Sequence, residues 1–230
     1  MSEPFSTSRS YDQLCGIATA LDVVGDRWSA LVVRDLLLGP LRFGDLADGL
    51  PGIGTNTLAA RLRHLERAGV VRRRLLPLPE RGTVYELTPY GRELEPVLMA
   101  LGRWGTKSMG RLPVEVTTRS RWLVAAMLAF HDDARRVARP TTWELRLDDG
   151  PFTVHAERAV LTVAAGAPPA GTADLVVTTS DSELHRLLTN RVAPADAVAG
   201  GDVVLDGDDS ALPALLDLFV FPTLDPAASG

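Results

Sequence analysis

The sequence predicts an α+β protein in two parts: an N-terminal winged helix-turn-helix and a C-terminal α+β domain. Three observations predict it. Asp45 to Arg81 reads as a short helix, a Pro51-Gly52-Ile53-Gly54 turn, a helix over Thr55 to Ala68, an Arg-rich strand and a Pro-containing loop, with a return strand at Val84 to Leu87. That order is built to place one helix in a DNA groove. From Gly105 to Thr118 the helical spacing lapses into Gly, Pro and Thr, and β-like runs dominate afterwards. Charge divides at the same place. Through Leu112 there are 15 Lys+Arg against 12 Asp+Glu, a net of +3; beyond it there are 9 against 17, a net of −8. The acidic part is repelled by phosphate, so only the first part suits nucleic acid. These shifts set the expected domains at 1–112 and 113–230.

Each N-terminal element has its own signal. Leu14, Ile17, Ala18, Leu21 and Val24 recur at 3-4 spacing, predicting a helix over Tyr11 to Val24. Asp26-Arg27-Trp28 opens a second helix, which Gly39-Pro40 stops after Leu38. A third spans Gly44 to Leu50, the fourth is Thr55 to Ala68, and Val70 to Leu76 is the first wing strand. Pro77 to Gly82 forms the wing tip. Thr88 as cap and Pro89 at the first position start a fifth helix, with Leu94, Val97, Leu98, Leu101 and Trp104 on its apolar face.

In the second part a helix is predicted over Arg119 to His131. Strands follow at Thr142–Leu147, Phe152–Ala156 and Val160–Ala164, a Pro-rich loop at Gly166–Gly171, and a strand at Leu175–Thr179. Ser180-Asp181 caps a helix over Ser182–Thr189; a short helix (Pro194–Val198), a strand (Gly201–Asp206) and a closing helix (Ser210–Phe221) complete a small sheet covered by helices.

The bulk numbers exclude several classes. Cys15 is the sole cysteine, so no intrachain disulfide forms. The first ten residues lack the apolar core of a signal peptide. The longest apolar run, Trp122 to Phe130, has nine residues where a membrane helix needs about 20. A cytoplasmic protein without a membrane segment is expected. His155-Ala156-Glu157 has no following Cys pair, and His131-Asp132-Asp133 and Asp206-Gly207-Asp208-Asp209 lack zinc or EF-hand spacing. Nucleophile-elbow, phosphate-loop and dinucleotide patterns are missing too. The reading is no enzyme, no metal and no cofactor.

Helical geometry divides the fourth helix. Leu58, Leu62 and Leu65 share the face that must point inward. Asn56, Ala60, Arg63 and Arg67 lie opposite, with Thr57 and His64 on a flank. Arg suits guanine, Asn suits adenine, and a small residue permits close approach to a major groove. Arg61 lies nearer the core, where a phosphate contact or an internal ion pair suits it. Gly54 and Thr55 bring the helix N-terminus to phosphate. Arg72 and Arg74 share one face of the wing strand and Arg73 takes the other, while Arg81 sits at the tip; phosphates or the minor groove are their targets. Seven arginines between Arg61 and Arg81, set in this order of elements, point to double-stranded DNA rather than to solubility alone.

These residues also carry a family resemblance. Cys15 with Leu21-Asp22-Val23-Val24-Gly25-Asp26-Arg27-Trp28, Leu36 through Phe43, Leu50-Pro51-Gly52-Ile53, Thr57-Leu58, Arg61 through Glu66, Gly69-Val70-Val71, Tyr85-Glu86-Leu87-Thr88 and Gly91 resemble the HxlR (DUF24) winged-helix transcriptional regulators. The resemblance covers about Cys15 to Trp104. It implies a homodimer, paired through the first and last helices of the domain, on a pseudo-palindromic operator. Two positions depart from the pattern: Gly54 stands where Ser commonly caps the recognition helix, and Gly16 follows Cys15 in place of Pro. In several such regulators the cysteine senses electrophiles or oxidants, which needs a thiolate. Asp12, the charge nearest Cys15, has the wrong sign for that, so a buried or half-buried structural thiol is the expectation and redox sensing the alternative.

In the second part, Trp143 through Gly150, Ala173 through Thr179 and Ala199 through Asp208 resemble the SCP2-like (sterol carrier protein) fold. That resemblance implies an apolar cavity for a lipid-like effector. Its lining would come from Trp122, Met127, Phe130, Trp143, Phe152, Leu184, Leu187, Leu188, Leu215 and Phe219, residues that read equally as ordinary core. A regulator governed by an apolar small molecule is the main expectation; a carrier without specific DNA binding is the third.

Overall fold

The computed structural model describes residues 10–109 and 118–222. The chain forms two compact units, dividing between Leu98 and Met99. The expected boundary at Leu112-Pro113 falls outside the described residues.

The first unit runs α1 (Gly16–Val24), α2 (Ser29–Leu37), β1 (Leu41–Arg42), α3 (Phe43–Gly49), α4 (Thr55–Arg67), β2 (Val71–Leu76), β3 (Gly82–Leu87) and α5 (Pro89–Arg92), and the helix α6 (Glu95–Thr106) contains the division. Its three strands are antiparallel, in the order β1-β3-β2. The core is aliphatic: Val32, Val33, Leu36, Leu46, Leu50, Leu58, Leu62 and Leu65 are buried. Gly91 is needed because a Cβ there would lie 2.1 Å from the Val70 carbonyl oxygen. Thr88 closes this corner, accepting from the Gly91 amide (3.0 Å) and donating to the Gly69 carbonyl (2.6 Å).

Three predicted helices change. The first begins at Gly16 rather than Tyr11: Asp12 is left-handed (φ 50°), and the Asp22 carboxylate holds Ser10 and the Tyr11 amide. The second begins at Ser29, because the Asp26 carboxylate accepts from the amides of Trp28 (2.8 Å) and Ser29 (3.1 Å) and ends the helix there. The predicted fifth helix is two, α5 and α6. Pro96 has no N–H for the Arg92 carbonyl, and its ring clashes with that group in a continuous helix. The chain turns at Glu93-Leu94 and restarts with Pro96 in the first turn, where no N–H is required. Strand β1, which no sequence pattern marked, pairs Leu41 with Tyr85 and Arg42 with Val84.

Beyond α6, the second unit holds α7 (Ser120–Phe130), β4 (Thr141–Leu147), β5 (Gly150–Glu157), β6 (Val160–Ala165), β7 (Leu175–Thr179), α8 (Asp181–Leu188), α9 (Pro194–Ala199), β8 (Val203–Gly207) and α10 (Ala211–Leu216). Its sheet has the order β6-β5-β4-β7-β8; β4 and β7 are parallel and the other pairs antiparallel. Period-two alternation puts Trp143, Leu145, Leu147, Phe152, Val154, Leu175 and Val177 into the core. The closing helix is shorter than predicted. After Leu216 the chain pairs with the end of α7, with Val220 N donating to Phe130 O (2.8 Å) and Asp132 N to Leu218 O (3.0 Å). The Phe130 and Phe221 rings lie 4.7 Å apart there.

Candidate nucleic-acid interface

Helix α4 is held by its inner face. Leu58, Leu62 and Leu65 are fully buried, which fixes the rotation of the helix and turns Thr55, Asn56, Thr57, Arg63 and Arg67 to solvent, with Ala60 half-buried among them. The Gly54 carbonyl accepts from the Leu58 amide (2.9 Å), but Gly54 offers no side-chain cap. The first amides of α4 therefore stay open toward an anion. Among the described residues the Arg63 guanidinium makes no ion pair or hydrogen bond, and Arg67 makes only a long one (3.4 Å) to the Arg63 carbonyl.

Two flanking residues are engaged internally. Arg61 pairs with Asp26 at 3.1 Å, half-buried, so of the two roles open to it the internal ion pair is the one formed. Burial alone would raise the Asp26 carboxyl; hydrogen bonds from Ser29 and Trp28 and the Arg61 charge outweigh it and hold the group below its ordinary value. The His64 Nε2 lies 3.1 Å from the carbonyls of both Asp22 and Val23 in the last turn of α1. Carbonyls only accept, so Nε2 carries a proton and His64 fastens α4 to α1. His64 is half-buried there, and its place on the flank of the amphipathic helix was the only sign of this in the sequence.

The ribbon arginines are also committed. Arg72 and Arg74 each reach Glu86, at 2.8 and 2.7 Å, and Arg73 grips Glu66 at 2.8 and 3.1 Å while its guanidinium lies 5.5 Å from the Tyr85 ring centre. Arg74, with help from Arg72, keeps the Glu86 carboxyl below the usual range. Three positive charges thus face two negative ones along the ribbon. Glu66 and Glu86 were not foreseen as partners, although the pairing of Arg72 with Glu86 follows directly from strand register. At the tip Arg81 is exposed, and its carbonyl accepts from Arg42 (3.0 Å).

The sequence has known relatives. The model of the family described as HxlR-like helix-turn-helix matches residues 23–112. The HTH-type transcriptional regulator sll1512 of Synechocystis sp. is 44% identical over 94 residues, which are 40% of this chain and 69% of that one. The chain belongs to the HxlR-like helix-turn-helix family. Another relative, the HTH-type transcriptional regulator YdeP of Bacillus subtilis, is 35% identical over 98 residues, 43% of this chain and 77% of its own. Among solved structures, the redox regulator HypR in its reduced form aligns at 30% identity with a TM-score of 0.39, covering 41% of this chain and 93% of HypR. The HxlR-like match makes the protein a DNA-binding transcriptional regulator; it ends at residue 112, short of α7.

The remaining site candidates lie as follows. Cys15, the residue preceding α1 in the HxlR-like unit, is exposed, against the expectation of a buried or half-buried thiol. The helix starts only after it, so its side chain is never drawn against the core. In the second unit Met127, Trp143, Phe152, Leu184, Leu187, Leu188, Leu215 and Phe219 are buried, and Trp122 and Phe130 are half-buried. The Trp143 indole N–H donates to the Ala211 carbonyl (2.8 Å), so α10 and β4 are tied through the core. Among the described residues no three His, Cys, Asp or Glu side chains converge on a metal position, and no helix is long and apolar enough to cross a membrane.

Proposed function

We propose that the protein is a cytoplasmic repressor that binds a pseudo-palindromic operator as a homodimer and is governed by an apolar small molecule held in an SCP2-like domain, residues 113–230. The observation that carries the DNA reading is the exposed face of α4, where Asn56 and Arg63, unpaired among the described residues, stand opposite a fully buried leucine row. Supporting the dimer, Leu14 just before α1 and Ile17 and Leu21 on it are exposed, and α6 exposes Val97, Leu101 and Trp104. Apolar stripes of this length are costly in water and favour a second copy. Supporting the effector, the second unit has an aromatic and aliphatic interior between one sheet face and its helices. An effector acts by favouring one spacing of the two recognition helices over another. Native mass spectrometry of the purified protein tests both parts: dimer mass with a co-purified apolar ligand is expected, and a ligand-free monomer would refute them.

The exposure of Cys15 favours a second reading, a redox regulator acting through this thiol. Oxidation would join two Cys15 thiols in an intersubunit disulfide, the oxidant accepting two electrons and two protons. A Cys15→Ser protein that keeps its response to inducer rules this reading out.

A further inference from the structure

The sheet of the second unit ends on one side in a strand whose sequence has none of the usual guards of an edge. Strand β6 (Val160–Ala165) holds no charge and no proline, and it pairs with β5 residue for residue without a bulge. Native edges are blunted by such features. The opposite edge, β8, has Asp206 within it and Asp202 and Asp208 on either side. Register and one hydrogen bond fix which groups β6 offers. Gly166 N donates to Pro151 O (2.9 Å), the residue opposite it, and bonded pairs alternate along an antiparallel ladder. Thr153 with Ala164, His155 with Thr162 and Glu157 with Val160 are therefore the bonded pairs, so the amides and carbonyls of Leu161, Val163 and Ala165 point away from β5. Among the described residues no strand pairs with that side. The side chains of these three lie on the core face, opposite Ala156, Val154 and Phe152, yet Leu161 and Val163 are only half-buried and Ala165 is exposed. The apolar layer and the hydrogen-bond ladder stop together at an open margin.

We infer that β6 of one copy pairs antiparallel with β6 of a second copy, centred on Val163, and joins two five-stranded sheets into one of ten. The inference rests on the homodimer proposed above. Self-complementarity identifies the occupant. With Val163 opposite its own counterpart, Leu161 meets Ala165, Thr162 meets Ala164 and Val160 meets Gly166, so a larger residue faces a smaller one and no charge is buried. Every outward amide and carbonyl of both edges then has a partner. The two-fold axis stands perpendicular to the sheet, so the two core faces continue into each other across the half-buried Leu161 and Val163. Pairing β6 with β8 would instead be head-to-tail and leave an edge open to further copies, whereas β6 with β6 closes on itself and leaves only the acidic edges outside. A six-residue strand falls short of the about 20–30 residues a side that a stable interface employs. The seam therefore forms between copies already joined, where the contact is intramolecular and its effective concentration is in the millimolar range.

The test is amide exchange followed by NMR on the full chain, at a concentration where native mass spectrometry gives the dimer. In wild type the amides of Leu161, Val163 and Ala165 should exchange at least about tenfold more slowly than in Leu14→Asp/Ile17→Asp, a variant made to be monomeric. Val160, Thr162 and Ala164, bonded to β5, should stay protected in both and so check the fold. Thr162→Lys/Ala164→Lys sets like charges opposite each other across the seam and should abolish the added protection while the dimer mass is kept. Thr162→Lys/Ala164→Glu sets opposite charges at the same places and should restore it. Thr162 and Ala164 are both exposed, so both variants should melt as wild type does. Outward amides that exchange as fast in wild type as in the Lys/Lys variant, or Lys/Lys and Lys/Glu variants that behave alike, overturn the seam. Equal protection in a monomeric protein gives the edge to another segment of the same chain and overturns it too. If wild type is a monomer, the dimer reading falls together with the seam. A wild-type dimer with unprotected outward amides removes the seam alone.

Discussion

Arg61 and Arg63 are two residues apart on one helix, and the structure assigns them opposite fates. Arg63 is exposed and unpaired, whereas Arg61 is engaged by Asp26 at 3.1 Å with about a third of its side chain accessible. Replacing Arg63 by Ala removes a guanidinium that no described residue engages. A bidentate arginine–guanine contact carries about 1–3 kcal/mol of discrimination, or about 5- to 150-fold in Kd. The loss should concentrate at one base pair, and thermal stability should stay within about 0.5 kcal/mol of wild type. Arg61→Ala instead breaks a half-buried ion pair, of the kind that contributes about 0.2–1 kcal/mol to folding. Asp26 keeps its hydrogen bonds to Trp28 and Ser29, so α2 stays capped. Its DNA effect should be small and the same for every base. The assay is fluorescence anisotropy with a duplex that the wild-type full chain selects from a random-sequence pool and a set carrying each single base-pair change. Equal base-specific losses in the two variants, or no loss with Arg63→Ala, would refute the division of α4 into a reading face and a tethered flank.

Three further outcomes follow from the same geometry. Leu14→Asp/Ile17→Asp puts two charges on the exposed apolar residues at the start of α1 and just before it, and sedimentation should show a monomer that binds a half-site at least tenfold more weakly; an unchanged dimer mass places the interface elsewhere. Glu86→Gln frees Arg72 and Arg74, so non-specific DNA binding should strengthen and the salt slope steepen by about 1–2. Because the folded-state Glu86 carboxyl is held low, its stabilisation is present above its ordinary pKa and is lost as pH falls through the lowered value, so wild type and Glu86→Gln should converge in melting temperature in acid. Asp181 has the opposite sign. Burial pushes its carboxyl up, the Ser120 hydroxyl (2.6 Å) opposes this, and Asp148 and Asp149 add to the rise. A raised folded-state pKa means the stability it carries is present below its ordinary value of about 3.9 and is lost as pH rises through the folded one. Asp181→Asn, which keeps an acceptor for Ser120, should therefore melt higher than wild type at pH 7 and equally near pH 3; a lower melt at both would show the charged form to be required.

The helix-turn-helix and its ribbon were legible because three local signals agreed: a leucine row at helical spacing, a Pro-Gly turn, and strands on either side of a Pro-containing loop. The exposed face of α4 followed from the same periodicity, since burying Leu58, Leu62 and Leu65 leaves only one rotation for the helix. Pro96 was as visible as these. Its consequence, the break between α5 and α6, was masked by an apolar spacing that ran through it. Strand β1 and the final pairing of Leu218–Val220 with the end of α7 could not be read from a short run of residues, because their partners lie 42 or more positions away.

Charge was the part most changed by folding. The sequence alone determined that arginines crowd into the wing region and that acidic residues fill the second part of the chain. Only the tertiary structure decided which arginines are available. Glu66 and Glu86 take three of them and Asp26 a fourth, while Arg63 and Arg81 stay unpaired among the described residues. The physical reason is range. Helix rotation depends on neighbours three and four residues apart, which a sequence displays, but an ion pair depends on separations of about 3 Å between groups from different elements, and those exist only once the elements have packed.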